Sequence, residues 1–195
     1  MKERFEWVSS WCDETHNSDL PRVLLVGDSI TFNYQDKVRQ KLKGVCYVDF
    51  VATSYAIDTK IYNTLITSFA SDSKYTLIHF NNGLHGQHIS KRTYKSRLTK
   101  LLQRLAKNGK ITVATSTIVY CEGNTRLDRV WTKRLKERND AVNEIATEAG
   151  YKVDDLYSAS VSLSIDKRLM DGIHYTEEGY EHFANIVADF ITAQL

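Results

Sequence analysis

Short runs of consecutive apolar residues alternate along this chain with stretches whose apolar positions recur every three or four residues. The runs fall at 23–26, 45–51, 75–80, 111–115 and 151–156. Continuous apolar runs of this length, rich in β-branched and aromatic residues, are the pattern of strands buried on both faces. Between them, Tyr34, Val38 and Leu42 recur at helical spacing, as do Ile61, Leu65, Ile66 and Phe69 behind a candidate N-cap at Asp58. Tyr94, Leu98, Leu101, Leu102 and Leu105 mark a further helix after Ser90. Leu127, Trp131, Leu135, Val142 and Ile145 mark one ending at Gly150. Tyr180, Phe183, Ala184, Val187 and Ile191 mark the last, after Thr176. Strand–helix alternation predicts a parallel sheet covered on both faces with right-handed crossovers. The expected fold is a three-layer α/β/α domain over 21–195, with five parallel strands in the order 2-1-3-4-5. Residues 1–20 read as an extension packed on the body, with Phe5, Val8 and Cys12 on one face of a short helix and Trp7 and Trp11 beside it.

The first run leads straight into Gly27-Asp28-Ser29-Ile30-Thr31. A serine at this strand exit lies at the carboxyl edge of the sheet, where open α/β folds bind ligands. The amides of the following helix favour negative charge there. Gly-Asp-Ser by itself also fits an ordinary turn. Asp171-Gly172-Ile173-His174 follows the last strand, in a stretch at 158–173 read as a loop. In a parallel sheet both segments meet at one edge. A serine hydroxyl needs a base to become a nucleophile, and histidine suits that role near neutral pH. An aspartate on the other imidazole nitrogen fixes the tautomer. The three-residue offset lets Asp171 fold back on His174. Asp166 is the rival acid, at eight residues' offset.

The totals narrow the function classes. At 195 residues the chain is long enough to bury one full core without disulfide staples. A net charge of +2 gives no electrostatic case for nucleic acid or an anionic membrane. The basic stretches Lys91–Lys100 and Lys133–Arg138 lie on helices with apolar seams and read as solvated faces. Cys12, Cys46 and Cys121 form no metal-type pair and no disulfide framework, which fits a reducing compartment. The first seven residues lack the apolar core of a signal peptide, so a cytoplasmic location is expected, or a secreted or periplasmic one had a leader been removed.

As a set, Gly27-Asp28-Ser29 and Asp171-Gly172-Ile173-His174 resemble the first and last signature blocks of the SGNH, or GDSL-type, hydrolases. The resemblance spans residue 22 to the C-terminus. It implies a flavodoxin-like fold and hydrolysis of carboxylic esters through an acyl-enzyme at Ser29, with His174 as base, Asp171 as its orienting acid and no cofactor or metal. Short-chain acyl esters, such as acetyl groups on a sugar, are the implied substrates, because no long insertion builds a lid. The two middle blocks depart from the family. Val51-Ala52-Thr53-Ser54-Tyr55 carries no glycine, so the oxyanion N–H falls to Ser54, with Tyr55 as rival, beside the Ser29 amide. In Asn81-Asn82-Gly83-Leu84-His85, aligning Gly83 with the family glycine puts His85 where an asparagine is usual. A neutral imidazole can donate to an oxyanion; Asn81 and Asn82 are the rivals.

Other readings remain open at this point. His85 and His88 have the spacing of a metal pair, without a nearby cysteine or acidic ligand in sequence. His79 reads as a hydrogen-bonded core histidine, His182 as solvated on the last helix, and His16 as part of a polar stretch. A flavodoxin-type module could cradle phosphate or flavin at Gly27–Thr31. An inactive SGNH-fold binding protein would account for the two altered blocks. The oligomeric state is not legible in the sequence.

Overall fold

The run at 23–26 becomes the central strand of the sheet because its neighbours bury it from both sides. Val23 and Leu25 point into one core and Leu24 and Val26 into the other, all with no exposed surface. The computed structural model describes residues 5–195; residues 1–4, the start of the stretch read as lacking a signal-peptide core, lie outside the described residues. The strands are β1 (Val8–Trp11), β2 (Arg22–Gly27), β3 (Tyr47–Thr53), β4 (Leu77–Asn81), β5 (Lys110–Ala114) and β6 (Lys152–Asp154). Their order is β1-β3-β2-β4-β5-β6. The helices are α1 (Ser29–Lys41), α2 (Lys60–Ser71), α3 (Lys91–Leu105), α4 (Arg129–Ala149), α5 (Leu156–Ser162) and α6 (Glu177–Thr192). Tyr34 and Val38 of α1 pack with Phe183 and Val187 of α6 on one face of the sheet. Tyr62, Ile66, Tyr94, Leu98 and Ile145 of α2, α3 and α4 cover the other.

The sheet corrects the expectation of five parallel strands. It has six strands and is mixed: β2 to β6 pair parallel, but β1 lies antiparallel on β3. The short helix expected around Phe5, Val8 and Cys12 is therefore a strand, with Val8 opposite Thr53 and Trp11 opposite Phe50. Edge pairing overrides the three-residue apolar spacing, because β3 would otherwise present a row of unpaired backbone groups.

Local capping chemistry sets the helix starts. Ser90 and Thr176 cap α3 and α6, and Gly150 ends α4 in the left-handed region at φ 73°. Thr59, not Asp58, caps α2; its Oγ1 accepts from the Tyr62 amide at 3.2 Å. Asp58 instead accepts from His88 Nε2 at 2.8 Å. The stretch at 158–173 is not all loop: Asp155 caps the short helix α5. His79 is fully buried, with Nε2 3.1 Å from Asp154 Oδ2. His182 is half-buried against Phe183 rather than solvated. Among the described residues, no helix is long and apolar enough to cross a membrane.

Candidate active site

Gly27 is required where β2 turns into α1. A Cβ there would stand 1.9 Å from Thr31 Oγ1 and 2.6 Å from the Asn81 carbonyl. Asp28 is the N-cap: its buried carboxylate accepts from the Ile30 amide at 3.1 Å through Oδ1 and from the Leu84 amide at 3.4 Å through Oδ2. Ser29 is the first helical residue, so its own amide has no acceptor within the helix. Asn33, one turn on, donates to the Ser29 carbonyl at 2.7 Å.

The opposite half of the site comes from the segment between α5 and α6. Asp171 Oδ1 accepts from the Ile173 amide at 2.8 Å and from the His174 amide at 2.9 Å, and Oδ2 accepts from His174 Nδ1 at 2.7 Å. His174 Nε2 then lies 2.8 Å from Ser29 Oγ. The structure thus brings Ser29, His174 and Asp171 into one hydrogen-bonded line. Partial burial alone would raise the Asp171 carboxyl pKa. The amide and imidazole hydrogen bonds outweigh that and hold it below the ordinary carboxylate range. Asp166, the rival acid, is exposed and lies 3.4 Å from Lys167 Nζ.

A narrow set of contacts fixes this segment. Gly172 has φ 75°, and a Cβ there would meet the Tyr120 carbonyl at 2.2 Å. The close approach lets the Tyr120 amide donate to the Gly172 carbonyl at 2.8 Å and the Gly123 amide to that of Met170 at 2.7 Å. The Leu169 amide closes the turn on the His174 carbonyl at 2.9 Å. Beneath it, buried Arg168 donates to the Ser160 carbonyl and the Tyr175 hydroxyl and stacks 4.7 Å over Tyr120. Beside His174 an open groove of about 570 Å³ is lined by Asn33, Leu169, Tyr175, Glu177 and Tyr180. The site is solvent-accessible: the His174 and Asp171 side chains are 30% and 46% exposed.

The candidate oxyanion donors divide. Ser54 is corrected: its amide already donates to the Trp7 carbonyl at 3.3 Å, and its hydroxyl bonds Glu6 and the Trp7 amide. The rival Tyr55 amide points to Thr53 Oγ1 at 3.2 Å. The Asn81 and Asn82 side chains are buried, and neither Nδ2 has a partner among the described residues. His85 is half-buried, and its loop is tied to the serine turn by the Leu84–Asp28 bond.

Sequence reasoning missed what holds that loop. Arg138 of α4 is fully buried; its Nη2 donates to the Gly86 and Ile89 carbonyls at 2.7 and 3.2 Å. Its guanidinium lies 4.1 Å over Tyr94, whose hydroxyl donates to the Asn82 carbonyl at 2.5 Å. Asn139 holds both the amide and the carbonyl of Ser116, whose hydroxyl lies 1.9 Å from where a Cβ on Gly83 would stand. The only sequence signal was an arginine at a position in register with the apolar seam of α4.

No family model matches the chain, and no curated protein matches it. Solved structures do. The acetylxylan esterase Axe2 from Geobacillus stearothermophilus is 16% identical with a TM-score of 0.72, over 88% of this chain and 94% of that one. A member of the lipolytic G-D-S-L family from Veillonella parvula is 18% identical with a TM-score of 0.68, over 88% and 98%. A lipase/acylhydrolase from Enterococcus faecalis is 18% identical with a TM-score of 0.67, over 90% and 97%. The fold is that of the SGNH and GDSL-type hydrolases.

Proposed function

We propose that this protein is a serine esterase acting on short acyl esters, and that the hydrogen-bonded line Ser29–His174–Asp171 is its catalytic triad. The observation that carries this is the 2.8 Å contact between Ser29 Oγ and His174 Nε2, made while Asp171 holds the other imidazole nitrogen. Ser29 attacks the ester carbonyl and passes its proton to His174. The tetrahedral oxyanion is met by the Ser29 amide and by a donor from the Asn81–His85 loop. Collapse expels the alcohol, which takes the proton from His174 and leaves an acyl group on Ser29. Water, deprotonated by His174, then attacks that acyl group and regenerates the serine. Ionised Asp171 stabilises the imidazolium at both stages.

The open groove and exposed triad favour a small acyl group without a lid, and an acetylated sugar is the substrate class we favour. The similarity in fold to an acetylxylan esterase supports that choice by analogy alone. The three free cysteines fit action in the cytoplasm on a small molecule or carbohydrate, without nucleic acid or a membrane as partner. A phosphate-cradling module fits less well, because the buried Asp28 carboxylate already occupies the N-terminus of α1 where a phosphate would bind. The test is covalent labelling with a fluorophosphonate, followed by mass spectrometry of the modified peptide. Label on Ser29 is expected. An unlabelled but folded protein would favour an inactive binding protein on the same fold.

A further inference from the structure

We propose that Arg168 is a positioning residue for the base. It fixes the register of the short hairpin that carries His174, and with it the direction in which the imidazole points. The proposal rests on the esterase reading above and adds what keeps His174 aimed at Ser29.

Two backbone bonds pair the arms of this hairpin. The Leu169 amide donates to the His174 carbonyl and the Thr176 amide to the Lys167 carbonyl, both at 2.9 Å. Between those bonds Arg168 and Tyr175 stand directly opposite each other, in the pair geometry that brings side chains closest. Side chains alternate between the two faces of such a pairing. Arg168 and Tyr175 are buried on the inner face. Leu169 and His174 fall on the outer one and line the open groove. A slip of one residue would exchange the faces and turn the imidazole inward, away from Ser29. Two backbone bonds are too few to exclude that slip, since an isolated hairpin is marginal in water.

Arg168 supplies a restraint on the register from outside the hairpin. It is 5% exposed. Nη1 donates to the Tyr175 hydroxyl at 3.2 Å, and Nη2 donates to the Ser160 carbonyl of α5. The guanidinium lies 4.7 Å over the Tyr120 ring and 5.1 Å over the Tyr175 ring. The Tyr120 amide in turn holds the Gly172 carbonyl at the hairpin tip. One side chain thus joins α5, the segment after β5 and both arms of the hairpin. Among the described residues its acceptors are both neutral, and Nε has none. A guanidinium buried in this way costs stability, and an apolar side chain of similar volume often packs as well or better. No apolar side chain, however, reaches two acceptors on separate segments while stacking on two rings. Registration is what the guanidinium alone provides here.

The test compares Arg168→Met, Arg168→Lys and Tyr175→Phe, which removes one acceptor, with Leu98→Ala, a cavity in the core on the other face of the sheet. Each is melted and assayed on p-nitrophenyl acetate, with competent sites counted by fluorophosphonate labelling taken to completion. Displacing a catalytic group by about 1 Å costs on the order of 10²-fold in rate. Arg168→Met is expected to lose about that factor in kcat per labelled site, with KM little changed, even where its melting temperature holds. Arg168→Lys keeps the charge without the fork and should recover only a small part. Tyr175→Phe should lose severalfold. Leu98→Ala should melt lower with normal kcat per site. Normal kcat per site in Arg168→Met would make the arginine structural and overturn the proposal. So would an equal loss in Leu98→Ala, which would trace the effect to stability, or full recovery by lysine, which would trace it to charge. Should Arg168→Met fail to fold, an unaltered kcat in Tyr175→Phe overturns the proposal. A wild type that is neither labelled nor active would overturn the esterase reading and this role with it; an active wild type beside an equally active Arg168→Met would overturn this role alone.

Discussion

Asp171 and His174 bond twice, once through the backbone and once through the imidazole. The His174 amide reaches Oδ1 at 2.9 Å while Nδ1 reaches Oδ2 at 2.7 Å. One carboxylate thereby shapes the turn and aims the ring. Its partly exposed position does not free it, because Ile173 adds a third hydrogen bond. The pair delivers Nε2 to a serine 145 residues earlier in the chain.

This double use predicts an order of effects in the proposed triad. Ser29→Ala should remove nearly all ester hydrolysis at unchanged stability, since it deletes only the attacking oxygen. His174→Ala should act similarly, and Asp171→Ala should be no worse, because members of one catalytic unit are not additive. Asp171→Ala should also lower the melting temperature, because the Ile173 and His174 amides both lose their acceptor. Kinetics on p-nitrophenyl acetate and thermal melts of the three variants check this. Wild-type turnover in Ser29→Ala would end the nucleophile assignment.

Gly172 tests whether the turn itself sets activity. Its φ of 75° and the 2.2 Å approach of a would-be Cβ to the Tyr120 carbonyl leave no room for alanine. Gly172→Ala should cost on the order of 1–3 kcal/mol in stability through strain. It should also depress kcat in the folded fraction by moving His174. A variant that melts and turns over like the wild type would show that the turn tolerates displacement.

Arg138 offers a buried counterpart on the other loop. Removing it in Arg138→Ala takes one of two donors from each of the Gly86 and Ile89 carbonyls, which keep the Ile89 amide and Arg134 Nη1, and opens a cavity under Tyr94. A loss of about 3 kcal/mol is expected from these two causes together. Chemical denaturation measures it, and a change below about 0.5 kcal/mol, the range of an ordinary surface substitution, would mean that the loop holds itself.

The parts of this molecule that were legible are those encoded locally. Val23–Val26 declares a buried strand by composition, and Ser90, Thr176 and Gly150 declare helix ends by their own side-chain and backbone chemistry. Ser29, Asp171 and His174 could be brought together because parallel strands must share an edge. Val8 could not be read as a strand residue, since its pairing depends on the free edge of β3, where Thr53 lies opposite it. For the same reason Ser54 looked available as a donor. Arg138 resembled any other charge in a basic helix stretch, because its acceptors are carbonyls, which carry no sequence signature.

Acid stability should report the bridge between α3 and α4. Hydrogen bonds from Lys91 and then Lys95, at 2.6 and 2.9 Å, pull the Glu144 carboxyl down to about 2. Its folded-state pKa is thus depressed below the unfolded value of about 4.3. The stabilisation is present above that unfolded value and is lost as pH falls towards 2. Glu144→Gln should therefore be slightly less stable than wild type at neutral pH and converge with it in acid. High salt should shrink the gap at neutral pH, since all three side chains reach solvent. Denaturant midpoints at several pH values decide; a gap that widens in acid would contradict the sign.

His85 is the proposed donor to the oxyanion from the Asn81–His85 loop. Its loop is tied to the serine turn through Leu84 and Asp28, while the Ser54 amide is committed to Trp7. A donor that acts mainly in the transition state changes kcat more than KM. His85→Ala should thus lower kcat on the order of 10²- to 10³-fold with little change in KM. His85→Asn would restore an amide donor and should recover part of the loss. A metal-ligand role makes a different forecast: chelator would abolish wild-type activity, and asparagine would not rescue the alanine variant. A purely structural role would lower the melting temperature and leave kcat normal in the folded fraction. Measuring kcat, KM and melting temperature for both variants, with and without chelator, separates these outcomes. Full kcat in His85→Ala would move the assignment to Asn81 or Asn82, whose buried Nδ2 groups have no other partner among the described residues.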